Sequence, residues 1–417
     1  MSIAIMQNND LWKRMRRAGN KVLNKTMAPL FHPAQEQEAV RVVWNMLQDH
    51  RPKRWDSELQ RAASSVVLSM VYSLPILESS NDPAIRRINE FVSRLTRASI
   101  PGAHLVESFP WMRYFPAFVS EWKRSSQAWY RRDTEFFKSL YAGVKDRMEK
   151  GDDQDNFTSH VVRDQKLYEL SDTEISWLSA TMYAAGADTS ATSMLWLILA
   201  MVAHPEVQKR CQEELDTVIG RSRMPKLSDQ DNLPYIRATV REVLRWRPIT
   251  PLGAPHQSTE DDWYAGYYIP KNTTVIPNIW AMNRDKDVYG PDADMFKPER
   301  HLDPDGKLGP SPPDTKPLKI GLLRPEGNVS FGYGYRICPG RYVANSFLFI
   351  HLASILWATD VSPEKDAQGN CISPDISDAA TVNDGLVMRP LPFKCSFTPR
   401  FPEVIEVLAQ TKKDLGN

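Results

Sequence analysis

The stretch Phe331-Gly332-Tyr333-Gly334-Tyr335-Arg336-Ile337-Cys338-Pro339-Gly340 constrains this chain more than any other. Three glycines in ten residues argue against an ordinary helix or strand, because glycine weakens both and opens conformations closed to residues with a Cβ. They suit a tight loop whose backbone lies against something flat and rigid. Cys338 ends the loop, and Arg341 to Leu348 is predicted to follow as a helix. A thiolate there receives the positive end of the helix dipole and nearby backbone N–H groups. That makes Cys338 a candidate soft, anionic ligand for iron, with Phe331 and Arg336 flanking it. The competing reading of a lone cysteine is a buried structural residue in a glycine-rich turn.

The rest of the sequence restricts the classes open to such a loop. With 417 residues, 42% hydrophobic and 25% charged, there is ample material for a large core. A net charge of +1 gives no reason to expect a nucleic-acid partner. Cys211, Cys338, Cys371 and Cys395 lie far apart without a CxxC pair, so neither a disulfide framework nor a zinc site is suggested. A reducing compartment fits best. The first ten residues are too short and polar for a signal peptide.

Between Ile175 and Pro205 the only charged residue is Asp188. The run is long enough to cross a membrane, but Ser176, Ser179, Thr181, Gly186, Thr189, Ser190, Thr192 and Ser193 make its middle polar. A helix buried through the centre of a soluble domain is predicted instead. A lone aspartate in so apolar a run is expensive without a role or a partner. Thr189 beside it can bond back to the helix, and Gly186 removes bulk nearby.

Residues 10–50 read as helix, with Trp12 and Arg16 on one face and Lys13, Arg14, Arg17 and Lys21 making it basic. Residues 55–150 continue as amphipathic helices broken at Ile100-Pro101-Gly102. They include an aromatic stretch, Phe109 to Phe118, which either packs under a long loop or stays mobile at a channel mouth. Pro205 starts an amphipathic helix, and Ile236–Trp246 another. There Glu242 and Arg245, three apart, form at least a surface ion pair. Pro248 to His256 is extended because prolines exclude the helical region before them. Tyr268, Val275 and Ile276 around Pro270-Lys271-Asn272 suggest a hairpin. Thr381-Val382-Asn383-Asp384-Gly385-Leu386-Val387 reads as a turn of a terminal hairpin ending near Phe397.

Four motifs in order resemble the cytochrome P450 family. The loop matches Phe-x-x-Gly-x-Arg-x-Cys-x-Gly completely. Ala185-Gly186-Ala187-Asp188-Thr189-Ser190 is similar to the family's oxygen-activation motif, with Ser190 in place of a second threonine. Glu242-x-x-Arg245 and Phe296-Lys297-Pro298-Glu299-Arg300 match the halves of its buried ion-pair network, although His301 stands where phenylalanine is usual.

The resemblance spans Trp12 to Arg400 and implies a mainly α fold with a minor β region. It implies one cytochrome P450 domain over residues 1–417, incomplete and N-terminally shortened, without the usual anchor, hinge, small sheet and first helices. The implied cofactor is haem b, its iron ligated by the Cys338 thiolate, with Trp12, Arg16, His256, Phe331 and Arg336 as binding residues. Asp188 and Thr189 take the catalytic role of proton delivery. The implied reaction is monooxygenation of a small hydrophobic metabolite, in the manner of fungal enzymes of secondary metabolism. Its partners are O2 and NADPH-cytochrome P450 reductase, docking on a basic face with Lys13, Arg14 and Arg17. Family members sit on the endoplasmic-reticulum membrane facing the cytosol. Here no transmembrane anchor is visible, which leaves a cytoplasmic or peripheral membrane position. Two alternatives stay open: a haem-thiolate isomerase or peroxygenase, and an inactive truncated product.

Overall fold

The computed structural model describes residues 1–48, 55–79, 82–98, 100, 102, 104–309, 327–383 and 386–416. Pro101 and the pair Asp384-Gly385 of the predicted terminal turn lie outside them. The principal helices are α1 Asp10–Val22, α2 His32–Gln48, α3 Trp55–Tyr72, α4 Pro83–Ala98, α5 Glu121–Glu149, α6 Asp172–Ala203, α7 Pro205–Val218, α8 Pro234–Trp246, α9 Arg341–Ala358 and α10 Val404–Asp414. The strands are short and antiparallel, and those described pair two by two. β1 His256–Gln257 joins β4 Thr274–Val275, and β2 Asp262–Tyr264 joins β3 Tyr267–Ile269. β5 Thr359–Pro363 joins β8 Cys395–Pro399, and β6 Thr381–Asn383 joins β7 Met388–Pro390.

Helix α6 is the axis of the molecule. Ser171 and Glu174 close a capping box at its start, the Ser171 N–H donating to the Glu174 carboxylate at 2.7 Å. From Ile175 onward nearly every residue is buried, and α3, α4, α5, α7, α8, α9 and β7 all pack on it. A helix apolar on all sides needs such a surround. The expectation of a long helix buried in a protein core therefore holds, although its length and composition alone would also suit a membrane.

Two local expectations change. Residues 10–48 form two helices rather than one, because Asn24 accepts from the N–H groups of Thr26 and Met27 and Pro29 opens a 3-10 turn over Ala28–Phe31. The predicted hairpin around Pro270 is shifted. Its turn lies at Ala265-Gly266, both with positive φ, so Tyr268 falls on β3 and Val275 on β4. The segment Phe109 to Phe118 does not pack under a loop: Phe109, Trp111, Tyr114, Phe115 and Phe118 are all exposed.

Candidate haem-thiolate site

The loop before α9 closes on itself through two backbone bonds. The Cys338 N–H donates to the Phe331 carbonyl at 2.8 Å, and the Gly332 N–H to that of Val329 at 2.9 Å. Gly332 and Gly334 hold φ of +71° and +62°, a region that disfavours side chains. A Cβ built on Gly332, Gly334 or Gly340 would meet nothing within 4 Å, so the glycine side of the loop faces open space. Gly340 is the N-cap of α9, which sets Cys338 just outside the positive end of an 18-residue helix.

Burial pushes the Cys338 thiol up from its ordinary value, while the Gly340 N–H and the guanidinium groups of Arg16 and Arg341 act the other way. Burial in turn pulls Arg16 down, and Arg341 and Arg336 beside it add to that. Arg16 donates one N–H to the Ile337 carbonyl, yet its Nε is buried without a partner. Arg336 donates to the Met6 carbonyl at 2.8 Å and lies 4.2 Å over the Trp12 ring. His256, lowered by burial and then by Arg336, stacks 6.2 Å from Tyr333. Among the described residues no carboxylate forms an ion pair with Arg16 or Arg336.

The other cysteines have different surroundings. Cys395 is buried in β8 opposite Pro363, and burial with Glu364 nearby pushes its thiol up to about 12. Cys211 lies inside α7, also pushed up to about 12 by burial. Cys371 is exposed. Of the four, Cys338 alone combines a helix N-terminus with nearby cations.

On the mostly buried α6, Met182, Ala185, Gly186 and Thr189 are among the residues that escape full burial. Their spacing of i, i+3, i+4 and i+7 makes them a single stripe. The Thr189 hydroxyl donates back to the Ala185 carbonyl at 2.6 Å, and the Ser193 hydroxyl to that of Thr189 at 2.9 Å. Asp188, beside the stripe, accepts from Arg389 of β7 at 2.7 Å. Nothing local in the sequence names Arg389; the only signal was the demand of a buried aspartate for a cationic partner. The missing side chain of Gly186 has a different purpose from the one expected. An added Cβ would stand 3.0 Å from Val67 Cγ2 of α3, so this glycine lets two helices approach.

Behind the loop, Glu242 and Arg245 are wholly buried and linked by two bonds. Glu242 also accepts from Arg300 Nε at 2.9 Å, the Lys297 N–H at 2.8 Å and His301 Nε2 at 2.9 Å. The histidine that looked out of place is thus a member of the network. Burial alone would raise the Glu242 carboxyl, but Arg245 and then His301 hold it down at about 2.

No cluster of three His, Cys, Asp or Glu side chains suited to a metal ion occurs among the described residues. One thiolate, an orphaned guanidinium nitrogen and an open glycine cradle suit a planar group that brings its own ring of donors and its own carboxylates. The residues present fit a haem. Arg16 and Arg336 would hold its propionates, and Cys338 its iron.

Comparison with known proteins gives the same answer. The family model for Cytochrome P450 matches residues 2–397. A cytochrome P450 monooxygenase of Armillaria gallica is 47% identical over 414 residues, covering 99% of this chain and 77% of that protein. Cytochrome P450 monooxygenase 58 of Postia placenta is 42% identical, covering 99% and 76%. Among solved structures, a zebrafish cytochrome P450 with progesterone superposes with a TM-score of 0.72 at 24% identity, over 96% of this chain and 85% of that one. That last likeness carries the fold alone.

Proposed function

The chain belongs to the cytochrome P450 family, a haem-thiolate monooxygenase with a mainly helical fold, and from that premise we propose which residues do its chemistry. Cys338 ligates the haem iron, and Arg16, Arg336 and His256 bind the propionate edge. The observation that carries this reading is the Cys338 thiol at the N-terminus of α9, close to the guanidinium groups of Arg16 and Arg341, with the Arg16 Nε buried and unbonded. Bound there, the haem supplies O2 binding and the oxidising power for inserting one oxygen atom into a C–H bond.

Such an insertion releases the second oxygen atom as water, which takes two electrons and two protons. The chain must therefore bring protons to a largely buried place. Thr189 holds one at Oγ1, at present donated to the Ala185 carbonyl. Asp188, beside it, refills it from solvent. The residues of the α6 stripe are small or flexible, which leaves room for a small hydrophobic substrate. We assign that substrate to fungal secondary metabolism, in keeping with the organisms of the relatives.

Electrons enter from a redox partner. We place an NADPH-dependent reductase on the α1 face. There Arg14 is paired with Asp10 and Lys21 with Asp164, while no carboxylate among the described residues pairs with exposed Lys13 or Arg17. The exposed aromatics Trp111, Tyr114 and Phe118, with Lys123 and Arg124 donating to neighbouring carbonyls, form a face suited to the edge of a lipid surface. This supports a peripheral membrane position.

The test is the absorption of the reduced, carbon-monoxide-bound protein. Wild type should show the long-wavelength Soret band of thiolate-ligated haem. Cys338→Ser should lose it, and Cys395→Ser and Cys211→Ser should keep it. Loss in Cys395→Ser with retention in Cys338→Ser would overturn the assignment.

A further inference from the structure

Asp188 is the one charged residue in a long apolar stretch, and it is not left to itself. Arg389, 201 residues later, donates through a guanidinium nitrogen to its Oδ1 at 2.7 Å. The aspartate side chain is 13% exposed and the arginine 34%, so the pair is partly shielded from water. At that depth a charge pair is held more tightly than on a surface, where it contributes little.

The backbone that carries Arg389 is fixed on several sides. The Met388 N–H donates to the Ile249 carbonyl at 2.8 Å, and the Met388 carbonyl accepts from the Trp196 indole at 3.0 Å. Val382 of β6 is the register partner of Arg389 itself. Asp188 and Trp196 are eight residues apart on α6 and so lie on one face. Both reach consecutive residues of β7. The strand is clamped to the helix at Met388, and the Arg389 side chain carries that link on to Asp188.

We propose that Arg389 is the positioning residue of proton delivery: it fixes the Asp188 carboxylate beside Thr189 and sets the direction from which that carboxylate accepts a proton. This rests on the proton-relay reading of Asp188 and Thr189. A carboxylate with one oxygen held by a guanidinium has its other oxygen aimed by the same bond. Without the guanidinium that aim is lost, and the relay is in line for less of the time.

The experiment compares Arg389→Met, Arg389→Lys, Asp188→Asn and the Asp188→Asn/Arg389→Met double variant. Haem content and the thiolate spectrum should match wild type in all four. In resting protein, without turnover, the infrared carboxylate band identified by its loss in Asp188→Asn should shift in Arg389→Met and stay close to wild type in Arg389→Lys. Product formed per NADPH should fall about tenfold in Arg389→Met, the usual scale for removing a group that orients another, and recover in Arg389→Lys. The double variant should be no worse than Asp188→Asn alone. An unmoved infrared band, or additive losses in the double variant, overturns the proposal. An unchanged product ratio in Arg389→Met beside a reduced one in Asp188→Asn overturns Arg389's role alone. An unchanged ratio in Asp188→Asn overturns the relay and Arg389's place in it together.

Discussion

Glu242 accepts two parallel N–H bonds from Arg245, at 2.8 and 2.7 Å, and neither side chain touches solvent. The remaining nitrogen of Arg245, Nη1, donates to the carbonyls of Asn283 at 2.7 Å and Ala293 at 2.6 Å, and Nη2 donates also to that of Met295 at 2.9 Å, so the buried cation is fully engaged. A pair this deep adds little net stability compared with apolar packing, but breaking it leaves a charge in the core. Glu242→Ala strands Arg245 and removes an acceptor from Arg300 and His301 as well. The expected loss is about 3–5 kcal/mol, read as a lower urea midpoint and a small yield of haem-loaded protein. His301→Phe, which takes away one of the donors to Glu242, should lose about 1–3 kcal/mol. A near-normal midpoint for Glu242→Ala would show that the network relaxes without it.

A buried imidazole makes stability depend on pH. His351 of α9 is wholly buried, its Nδ1–H donating to the Phe347 carbonyl at 2.9 Å while Nε2 has no partner. Burial pulls its proton affinity down to about 4. The unfolded chain binds this proton near the ordinary histidine value, about 6.5. Unfolding therefore takes up a proton between these values, and the stability present above pH 6.5 is lost as pH falls towards 4. The ceiling is about 3 kcal/mol. His351→Leu should flatten the drop in urea midpoint between pH 7 and pH 5. An equally steep drop in the variant would assign the slope to other groups.

What the sequence made legible was local chemistry and order along the chain. The loop at Cys338 could be read because glycines, arginine and cysteine must be adjacent for their joint task. Glu242 and Arg245 could be paired because helix spacing sets them on one face. Arg389 could not, since a bond across 201 residues leaves no local period. The demand of Asp188 for a partner was visible; its identity was not. The Trp12 ring lies under Arg336 and its indole turns to Ile3, a choice made by a backbone carbonyl that helix spacing does not encode. His301 looked like a departure because the pattern usually has an aromatic ring there. The buried Glu242 oxygen beside it accounts for an imidazole there.

Gly186 offers a separate check on what the central helix needs. Replacing it with alanine gains about 1 kcal/mol in helix propensity. The new Cβ, however, would lie 3.0 Å from one Val67 methyl and 3.3 Å from the other. Valine is stiff about its first torsion, and crowding of this kind typically destabilises by about 1–3 kcal/mol. Gly186→Ala should thus lower the melting temperature slightly, and Val67→Ala in the same chain should restore it. If Gly186→Ala is stabilising by itself, the helices have slack at this point and the close approach is not required.

Thr189 is the residue whose removal separates chemistry from structure most cleanly. Its hydroxyl is bonded only to the Ala185 carbonyl of its own helix, at 2.6 Å, and the side chain is half-buried on the open stripe. Alanine there removes no tertiary hydrogen bond and suits a helix interior better than threonine. Thr189→Ala should therefore fold, bind haem and keep the thiolate spectrum. If the hydroxyl passes protons during oxygen reduction, the variant should still consume NADPH but release much of the oxygen as hydrogen peroxide. Loss of a positioned proton donor is typically worth about 100-fold or more in the step it serves, so product per NADPH should drop steeply while NADPH consumption changes little. Thr189→Ser, which keeps the hydroxyl, should hold most of the wild-type ratio. Should Thr189→Ala turn over substrate with the wild-type yield per NADPH, the back-bonded hydroxyl serves only the helix, and the protons reach the site by another route.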